Sequence, residues 1–421
     1  MRDGGRIAAA IAVLDDMDQR HKPVRLALKA WGDGARYAGA KDRAFVSGLA
    51  LDALRRRRSL AWSMGEDSNR ARVLGALAIA WDWPADRLEA AFAEEHGPGP
   101  LTDAERAALA APRSLGDAPA AVRGDYPDWA DGPLQRVFGE ALGAELAALA
   151  ERAPVDLRVN TLKSDQAHVL KALETFGPET SALVVDAVRI PAPAASERAA
   201  PVEASPAFEK GWFEVQDLGS QIAASAAGDV KGRQVLDYCA GGGGKTLALA
   251  AAMANTGQLY AYDADARRLT DTVRRAQRAG VRNLQVRSPI EKNPLRGLDG
   301  KMDLVFVDAP CTGSGTWRRH PDTKWRLAPV QLERRTAEQD AVLDGAAAFV
   351  KPGGRVVYVT CSLFAEENED RVAAFLARSP GFEAVRAEGV ADAFLTAEGF
   401  LRLSPRTAGT DGFFVAVLQR A

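Results

Sequence analysis

The sequence is poor in the residues that build disulfide frameworks and metal centres. Its 421 residues include only three cysteines and four histidines. So few cysteines cannot staple a secreted scaffold, and they indicate the reducing environment of the cytoplasm. The histidines are scattered, without the short spacing that is typical of metal ligands. We therefore expect a cytoplasmic protein that has no disulfide framework and binds no metal.

Long apolar runs and an excess of one charge are also missing. No stretch reaches the roughly 20 apolar residues that a membrane span requires. The apolar run at 7–14 is followed at once by acidic residues, which predicts an amphipathic helix rather than a signal peptide. Lys+Arg 54 against Asp+Glu 56 gives a net charge of −2, so any contact with nucleic acid must come from local patches. We expect a monomer that does not bind membranes.

Three regions with different patterns are present. Residues 1–150 carry alanine and leucine at helical spacing, which predicts an all-helical domain. Residues 154–212 predict a small α+β (RRM-like) module that contains an exposed Pro- and Ala-rich linker at 191–206. From 213 to 421 strands and helices alternate, which indicates an α/β domain with a mostly parallel, doubly wound sheet. Its predicted strands are 234–238, 258–263, 284–287, 303–308, 355–361 and 413–418.

A glycine-rich turn stands at the front of the α/β domain. The residues from Val235 to Thr246 predict a short buried strand, four glycines and then a helix. Such a strand–turn–helix unit lets the backbone approach a ligand, because glycine has no Cβ and tolerates positive φ. The candidate binding residues are Cys239, Ala240, Gly241, Gly242, Gly243, Gly244 and Lys245.

Two ligand classes compete for this turn. A phosphate-binding P-loop would need its first glycine at the position of Cys239. An adenosine-type cofactor needs an acidic residue about 20 positions on, at the end of the next strand, and Asp263 is placed there. The acid favours the adenosine-type cofactor. A P-loop NTPase remains the alternative, because the strand at 304–308 also resembles the apolar strand and acid that bind magnesium.

Two further cysteines follow strands of the same sheet. Cys311 comes after the strand that ends at Asp308, and Cys361 ends the next strand. Carboxyl ends of neighbouring parallel strands meet at one edge, so these three side chains should converge on the cofactor crevice. Free cysteine is usually a small buried hydrophobe, but all three cysteines fall at strand ends here. A functional role is favoured for Cys311 and Cys361, and both interpretations stay open for Cys239.

Two thiols beside such a cofactor suggest methyl transfer to carbon 5 of a pyrimidine. This carbon is too poor a nucleophile to take a methyl group directly. A thiolate that adds to C6 turns C5 into an enamine-like carbon that can attack a sulfonium methyl group. An acid such as Asp308 could bind the N3/N4 edge of the base and stabilise charge during the addition.

The motifs together resemble the Sun/Rsm (RsmB-like) family of RNA cytosine-5 methyltransferases from about residue 154 onward. The resemblance implies S-adenosylmethionine as cofactor and small-subunit ribosomal RNA as substrate. It further implies that Cys361 is the nucleophile, that Cys311 assists product release and that Asp308 lines the base and methionine pocket. Asp263 would hold the ribose, and residues 239–245 would wrap the cofactor. The motifs are Gln216-Asp217, 239–246, 308–315, 319–325, 360–362 with 366–368, and 410–414.

The N-terminal region resembles a further domain of the family, and the chain departs from the family pattern at two places. Residues 42–58 resemble the NusB-like helical domain that precedes the ribosomal RNA members. Gly241-Gly242 replaces the family's usual Ala-Pro, so the loop should be more flexible when empty. The acid that meets adenine is missing after the third strand, where Ser288 or Glu291 could substitute. An RNA-binding assembly factor with decayed catalysis is therefore an alternative, although both crevice cysteines are retained.

Basic residues provide candidate RNA contacts. Arg318, Arg319 and Lys324 form a basic segment that could meet RNA phosphates, with an ordinary solvated loop as the equally weighted alternative. The arginine run at 55–58 could be a phosphate patch, but a solvated helix end that favours the helix dipole is preferred.

Overall fold

The computed structural model describes residues 1–197 and 199–421. The predicted linker at 191–206 includes Arg198, which lies outside the described residues. The chain forms two compact units. The first, here the helical unit, comprises Met1–Arg152, Ala192–Ala199 and Trp317–Leu327. The second, here the sheet unit, comprises Ala153–Pro191, Ala200–Thr316 and Ala328–Ala421.

The helical unit buries the alanine and leucine faces that the sequence predicts. Phe45 and Leu49 of its third helix lie in the core, where Phe45 packs edge-on against Trp81 with ring centroids 5.0 Å apart. The predicted capping box is present, since Thr102 accepts from the Glu105 backbone and the Glu105 carboxylate accepts from Thr102 N. Its helices are α1 (Asp3–Arg20), α2 (Val24–Gly34), α3 (Ala40–Arg55), α4 (Arg57–Met64), α5 (Asn69–Gly75), α6 (Ala85–Phe92), α7 (Asp103–Ala110), α8 (Ala120–Arg123), α9 (Asp131–Phe138) and α10 (Leu142–Leu149).

The sheet unit begins with a small antiparallel sheet. Its described strands are β1 (Val155–Val159), β2 (Glu179–Thr180), β3 (Ala187–Ile190) and β4 (Phe213–Val215), in the order β2-β3-β1-β4. Helices α11 (Gln166–Ala172) and α12 (Pro206–Glu209) accompany it. The sheet continues past residue 212, where the sequence predicts the module to end, because Leu157 pairs with Val215. Three residues carry too little pattern for β4 to be recognised locally.

The large sheet has the predicted mostly parallel arrangement. Its strands are β5 (Gln234–Asp237), β6 (Gln258–Tyr262), β7 (Leu284–Arg287), β8 (Met302–Asp308), β9 (Val350–Thr360), β10 (Phe382–Val385), β11 (Leu401–Leu403) and β12 (Phe413–Arg420). They run in the order β10-β12-β9-β8-β5-β6-β7, with β11 paired to β12. Strands β5 to β9 are parallel, and β12 is antiparallel to β9 and β10. The short strands β10 and β11 were not predicted from the sequence.

Helices cover both faces of the large sheet. The remaining helices are α13 (Leu218–Ser225), α14 (Gly244–Ala252), α15 (Ala266–Ala279), α16 (Pro321–Arg326, in the helical unit), α17 (Pro329–Ala347), α18 (Glu369–Arg378) and α19 (Pro405–Ala408). Leu304 and Phe306 of β8 pack on one face with α13 and α14, whereas Val305 and Val307 pack on the other face with α17 and α18. Burial on both faces explains why β8 is a continuous apolar run.

The strand order places a ligand crevice at the carboxyl ends of β5 and β8. The chain runs from β5 outward through β6 and β7 and then returns to β8 on the other side of β5. Ligands bind at such a switch point because the loops after the two strands diverge there. None of the helices in the described part of the chain is both long and apolar enough to cross a membrane.

Candidate active site

The glycine turn between β5 and α14 needs glycine at two positions. Gly241 has φ +53° and Gly243 has φ +84°, in the left-handed region that disfavours side chains. A Cβ at Gly243 would lie 2.9 Å from the Thr272 hydroxyl, so α15 also closes the space there. The turn is completed by Gly243 N, which donates to Ala240 O over 2.9 Å. Glycine is therefore required by torsion at 241 and by both torsion and packing at 243.

Asp263, which follows β6, and two side chains of α15 hold this turn through hydrogen bonds. Gly241 N donates to Asp263 Oδ2 over 2.8 Å, and Thr272 Oγ1 donates to Gly241 O over 2.9 Å. Arg275 Nη1 donates to Gly242 O over 2.5 Å. The sequence predicts a flexible loop from the missing proline, but three side chains from outside the loop hold it through hydrogen bonds.

An open cavity of about 160 Å³ lies over the turn. It brings together seven residues that the sequence predicts as cofactor or base contacts: Cys239, Ala240, Gly241, Gly242, Gly244, Lys245 and Asp308. Its other lining residues are Gln216, Ser220, Arg268 and Arg275, which the sequence analysis did not assign. Gln216 belongs to a quoted motif, so that signal was available. The two arginines could be recognised only after α15 was placed.

Asp263 and Gly243, which were also predicted to contact the cofactor, are not among the described residues that line the cavity. Asp263 is 5% exposed. Its Oδ1 accepts from Asp265 N over 2.8 Å, and its Oδ2 lies 3.2 Å from Arg268 Nη1 in addition to its bond with Gly241 N. The carboxylate thus orders the turn directly. Its predicted contact with a ribose remains a prediction.

Lys245 and Asp308 form an ion pair at the edge of the cavity. Lys245 Nζ lies 2.7 Å from Asp308 Oδ2, and the lysine side chain is 9% exposed while that of Asp308 is 35% exposed. Burial acts to lower the pKa of Lys245, but the negative charge and hydrogen bond of Asp308 outweigh it and raise the pKa. The ammonium also lies near Cys361, which contributes to the same shift. Lys245 is therefore a fixed positive charge within the crevice.

The two predicted cysteines meet at the ends of β8 and β9. The strands are parallel neighbours, with Asp308 opposite Val359. The Cys311 and Cys361 sulfur atoms lie 3.4 Å apart, which allows an S–H···S hydrogen bond. This bond and burial raise the pKa of the Cys311 thiol well above its ordinary value. Cys311 therefore keeps its proton and can donate it toward the sulfur of Cys361.

Glu367 joins the loops that follow the two cysteines. Its buried carboxylate accepts from Thr312 N over 2.8 Å, from the Thr312 and Ser362 hydroxyls, and from Gln339 Nε2 over 3.0 Å. Burial raises its pKa despite these hydrogen bonds. Thr312 follows Cys311 and Ser362 follows Cys361 in the chain. Glu367 therefore holds the loops that contain Cys311 and Cys361 in place. The motif at 366–368 alone did not reveal this role.

The third cysteine lies in an acidic environment. Burial raises the pKa of Cys239 well above its ordinary value, and the negative charges of Asp237, Asp308 and Asp263 act in the same direction. Its thiol is therefore disfavoured as a nucleophile. Burial likewise raises the pKa of Asp237 to about 7, although this carboxylate accepts from Thr246 Oγ1 over 2.6 Å. No group of three or more His, Cys, Asp or Glu side chains among the described residues is arranged to hold a metal ion.

The predicted basic segment differs from a solvated loop, while its contact with RNA stays a prediction. Arg318 and Lys324 are each 4% exposed, so neither lies in a solvated basic loop. Lys324 Nζ donates to Arg55 O over 3.1 Å, and Arg55 donates to Arg318 O over 2.8 and 3.0 Å. Burial lowers the pKa of Lys324 to about 8. This segment belongs to the helical unit, where Trp317 is also buried. Of the three predicted contacts, Arg319 alone keeps partial exposure.

The arginine run at 55–58 also differs from a solvated helix end. Each of its guanidinium groups has an acidic partner within the helical unit: Asp52, Glu151, Asp18 and Asp128 in order along the run. Arg55 is buried. The run is therefore used largely in internal ion pairs.

The fold and the site define a Rossmann-like methyltransferase domain preceded by a small α+β sheet and a helical unit. A solved structure described as "Crystal Structure of PH0851" shares the fold with a TM-score of 0.76 and 24% identity, covering 100% of this chain and 99% of that one. A methyltransferase homologue from Pyrococcus horikoshii superposes with a TM-score of 0.60 and 27% identity over 72% of this chain and 97% of that one.

Sequence comparisons narrow the class to a family. The profile of the 16S rRNA methyltransferase RsmB/F family matches residues 227–419, and the profile of the ferredoxin-like domain of RsmF/B-like methyltransferases matches residues 126–197. A probable ribosomal RNA small subunit methyltransferase B from Synechocystis is 31% identical over 309 residues, covering 70% of this chain and 67% of that protein. The chain spans about two thirds of the length of the curated relatives that it matches. The chain belongs to the RsmB/F family of ribosomal RNA small subunit methyltransferases.

Proposed function

We propose that this protein is a cytoplasmic, S-adenosylmethionine-dependent RNA cytosine-5 methyltransferase that acts on small-subunit ribosomal RNA. The observation that carries the proposal is the pair of sulfur atoms of Cys311 and Cys361, 3.4 Å apart and beside the Lys245–Asp308 ion pair. Family membership supports ribosomal RNA as the substrate. A two-thiol site supports transfer to carbon 5 of a pyrimidine, because that carbon needs covalent activation.

The residues around the cavity suit S-adenosylmethionine. Four positions of the glycine turn line the cavity through a backbone that has little or no side chain, and at Gly244 an added Cβ would meet open space. Lys245 and Asp308 offer opposite charges to the carboxylate and amino groups of the methionine part of the cofactor. Asp263, which we assign to the ribose of the cofactor, orders the turn through its hydrogen bond with Gly241 N. When bound, the cofactor supplies an electrophilic sulfonium methyl group. The buried position of Lys245 against Asp308 does not favour the P-loop alternative, whose lysine must reach phosphates.

Cys361 is assigned as the nucleophile. Its sulfur forms a bond to C6 of the cytosine, and the C5–C6 electron pair moves to C5, which then takes the methyl group. The Cys311 thiol can donate a hydrogen bond to the sulfur of Cys361, and the Lys245 ammonium lies nearby. Both groups can stabilise charge on this sulfur during attack on C6 and during expulsion.

Product release is assigned to Cys311. The C5 proton passes to water, the C5–C6 double bond re-forms and the bond between C6 and the Cys361 sulfur breaks. The Cys311 thiol, which keeps its own proton, assists this expulsion by donating a hydrogen bond to the leaving sulfur. Asp308, partly exposed at the end of β8, is assigned to the N3/N4 edge of the base and to the methionine end of the cofactor.

The proposal is tested by methyl transfer from radiolabelled S-adenosylmethionine to small-subunit ribosomal RNA, offered both naked and in assembling subunits. Bisulfite sequencing of the product should show a single new 5-methylcytosine. Cofactor and RNA binding without any transfer would support the decayed assembly factor instead. Transfer to adenine or to a ribose would contradict the covalent route through Cys361.

The helical unit is proposed to contribute RNA affinity rather than chemistry. Its resemblance to a NusB-like domain motivates this assignment. Because the 55–58 run is engaged in ion pairs, any phosphate contact must come from other cations or require those pairs to open. The salt dependence of RNA affinity measures how many phosphates are contacted.

A further inference from the structure

The attachment of the glycine turn to α15 rests on two neighbouring side chains. Thr272 is fully buried and donates to Gly241 O over 2.9 Å. Arg275, one helical turn along, donates to Gly242 O over 2.5 Å. Two successive carbonyl groups of the turn are thus held from one face of one helix. No strand ladder could do this, because the turn lies beyond the end of β5.

Arg275 is itself held by the small sheet. Its Nε and Nη2 lie 3.1 and 2.9 Å from Glu214 Oε2. Glu214, on β4, is only 2% exposed, and its other oxygen accepts from Arg278 over 2.5 Å. A buried carboxylate that is paired in this way fixes both guanidinium groups in position. Arg275 therefore connects β4 of the small sheet with the glycine turn that follows β5 of the large sheet.

We propose that Arg275, with Thr272, is a positioning residue that holds the empty glycine turn in its ligand-binding conformation. This inference rests on the proposed cofactor. Holding the turn beforehand lowers the ordering cost of binding, as a proline in the turn would. Glycine loses more backbone conformational entropy on ordering than any other residue, so a turn with four successive glycines gains most from hydrogen bonds that order it before the ligand binds. Arg275 acts through the carbonyl of Gly242.

The geometry at Gly242 allows a proline there to replace the restraint that Arg275 places on the turn. A Cβ added there would meet only Arg275 Nη1, at an ordinary contact distance of 3.7 Å, and the residue has no positive φ. Proline at this position would restrict the turn without supplying a positive charge. Gly242→Pro combined with Arg275→Ala therefore separates a positioning role from a direct charge contact with the ligand.

The matched control lies on the same helix. Arg274 is exposed and pairs with Asp271 over 2.9 Å, without a hydrogen bond to the turn in the described structure. Arg274→Ala removes the same charge from α15 as Arg275→Ala does. A second variant, Thr272→Val, removes only the hydroxyl bond to Gly241.

Two readouts are needed on the full chain. Amide hydrogen exchange of residues 239–245 in the ligand-free protein reports the turn directly, and calorimetry with S-adenosylhomocysteine reports binding. Arg275→Ala should speed exchange in the turn and weaken binding about tenfold, the effect of one lost charged hydrogen bond. Thr272→Val should produce a smaller change in the same direction, and Arg274→Ala should stay within about twofold of the wild type by the same conversion. Gly242→Pro should restore most of the affinity of Arg275→Ala.

Several outcomes would overturn the proposal. Unchanged exchange in Arg275→Ala would show that the turn does not depend on the clamp. Restored exchange without restored affinity in the double variant would show that Arg275 contacts the ligand directly. If the wild type binds no S-adenosylhomocysteine, the proposed function fails, while the exchange data still decide whether Arg275 holds the turn.

Discussion

The sulfur atoms of Cys311 and Cys361 lie 3.4 Å apart at the ends of adjacent parallel strands. The hydrogen bond to Cys361 and burial raise the pKa of the Cys311 thiol, so Cys311 keeps its proton. The protonated Cys311 can donate to the sulfur of Cys361. This geometry supports separate assignments for the two cysteines.

The first prediction tests these assignments. Cys361→Ala should abolish methyl transfer, because without addition to C6 the C5 carbon is not nucleophilic. Cys311→Ala should attack and methylate but stall at release, leaving Cys361 bonded to RNA. The adduct should survive denaturing gel electrophoresis. An adduct in Cys361→Ala but none in Cys311→Ala would reverse the two roles.

A second prediction concerns Glu367. Glu367→Gln replaces an acceptor oxygen with a donor that faces the donors of Thr312, Ser362 or Gln339. We expect a loss of about 1–3 kcal/mol in the free energy of unfolding, as for a broken buried hydrogen bond, and a lower kcat. Affinity for S-adenosylhomocysteine should be preserved, since Glu367 is not among the described residues that line the cavity.

The neighbouring Glu366→Gln is the control, since one of its carboxylate oxygens has no hydrogen-bond partner among the described residues. Urea unfolding, calorimetry and single-turnover kinetics measure the three effects. Equal loss of kcat in the two glutamine variants would argue against a specific role for Glu367.

The pH dependence of stability supplies a third prediction. Burial raises the pKa of Asp237 to about 7 from 3.8, so the folded state binds more protons than the unfolded state between these values. The contribution of Asp237 to stability must therefore fall as the pH rises through this window, by up to about 1.4 kcal/mol per pH unit. Asp237→Asn should gain stability relative to the wild type between pH 4 and 7, and the difference should become constant above that range.

Urea unfolding at several pH values measures the Asp237 effect. Asp229→Asn, on the loop before β5, serves as a surface control and should follow the wild type at every pH. A stability difference between Asp237→Asn and the wild type that does not vary from pH 4 to 7 would be incompatible with the raised pKa.

A fourth prediction concerns removal of the helical unit. A chain that begins at Ala153 would still carry Trp317–Leu327, which belongs to that unit. Trp317 is 1% exposed and Trp325 Nε1 donates to Leu54 O over 2.7 Å, so truncation uncovers buried apolar surface. The truncated chain should aggregate and bind a hydrophobic dye.

Replacing residues 317–327 of the truncated chain with a Gly/Ser linker should restore its solubility. A truncated chain that remains soluble and does not bind dye without this replacement would contradict the prediction. RNA affinity of the helical unit is therefore better measured in the full chain.

Local patterns were sufficient for several elements of the large sheet, although β9 begins at Val350 rather than at the predicted residue 355. The strands at 284–287 and 303–308 and the helix at 266–279 agree with the structure to within one residue, because apolar runs and helical periodicity report faces that are buried on folding. The meeting of Cys311 and Cys361 also followed from the sequence. Both residues follow predicted strands, and the usual order of such sheets suggested that these strands are parallel neighbours.

By itself, the sequence determined the α/β class, the glycine turn, the acid that supports it and the convergence of the two cysteines. Only the tertiary structure decided that Lys324 is buried rather than exposed, that Glu367 holds both cysteine loops, and that Arg275 joins Glu214 to the cofactor turn. Periodicity and turn chemistry are local properties that a sequence displays directly. A hydrogen bond between residues 61 positions apart depends on the path of the whole chain, which no local pattern records.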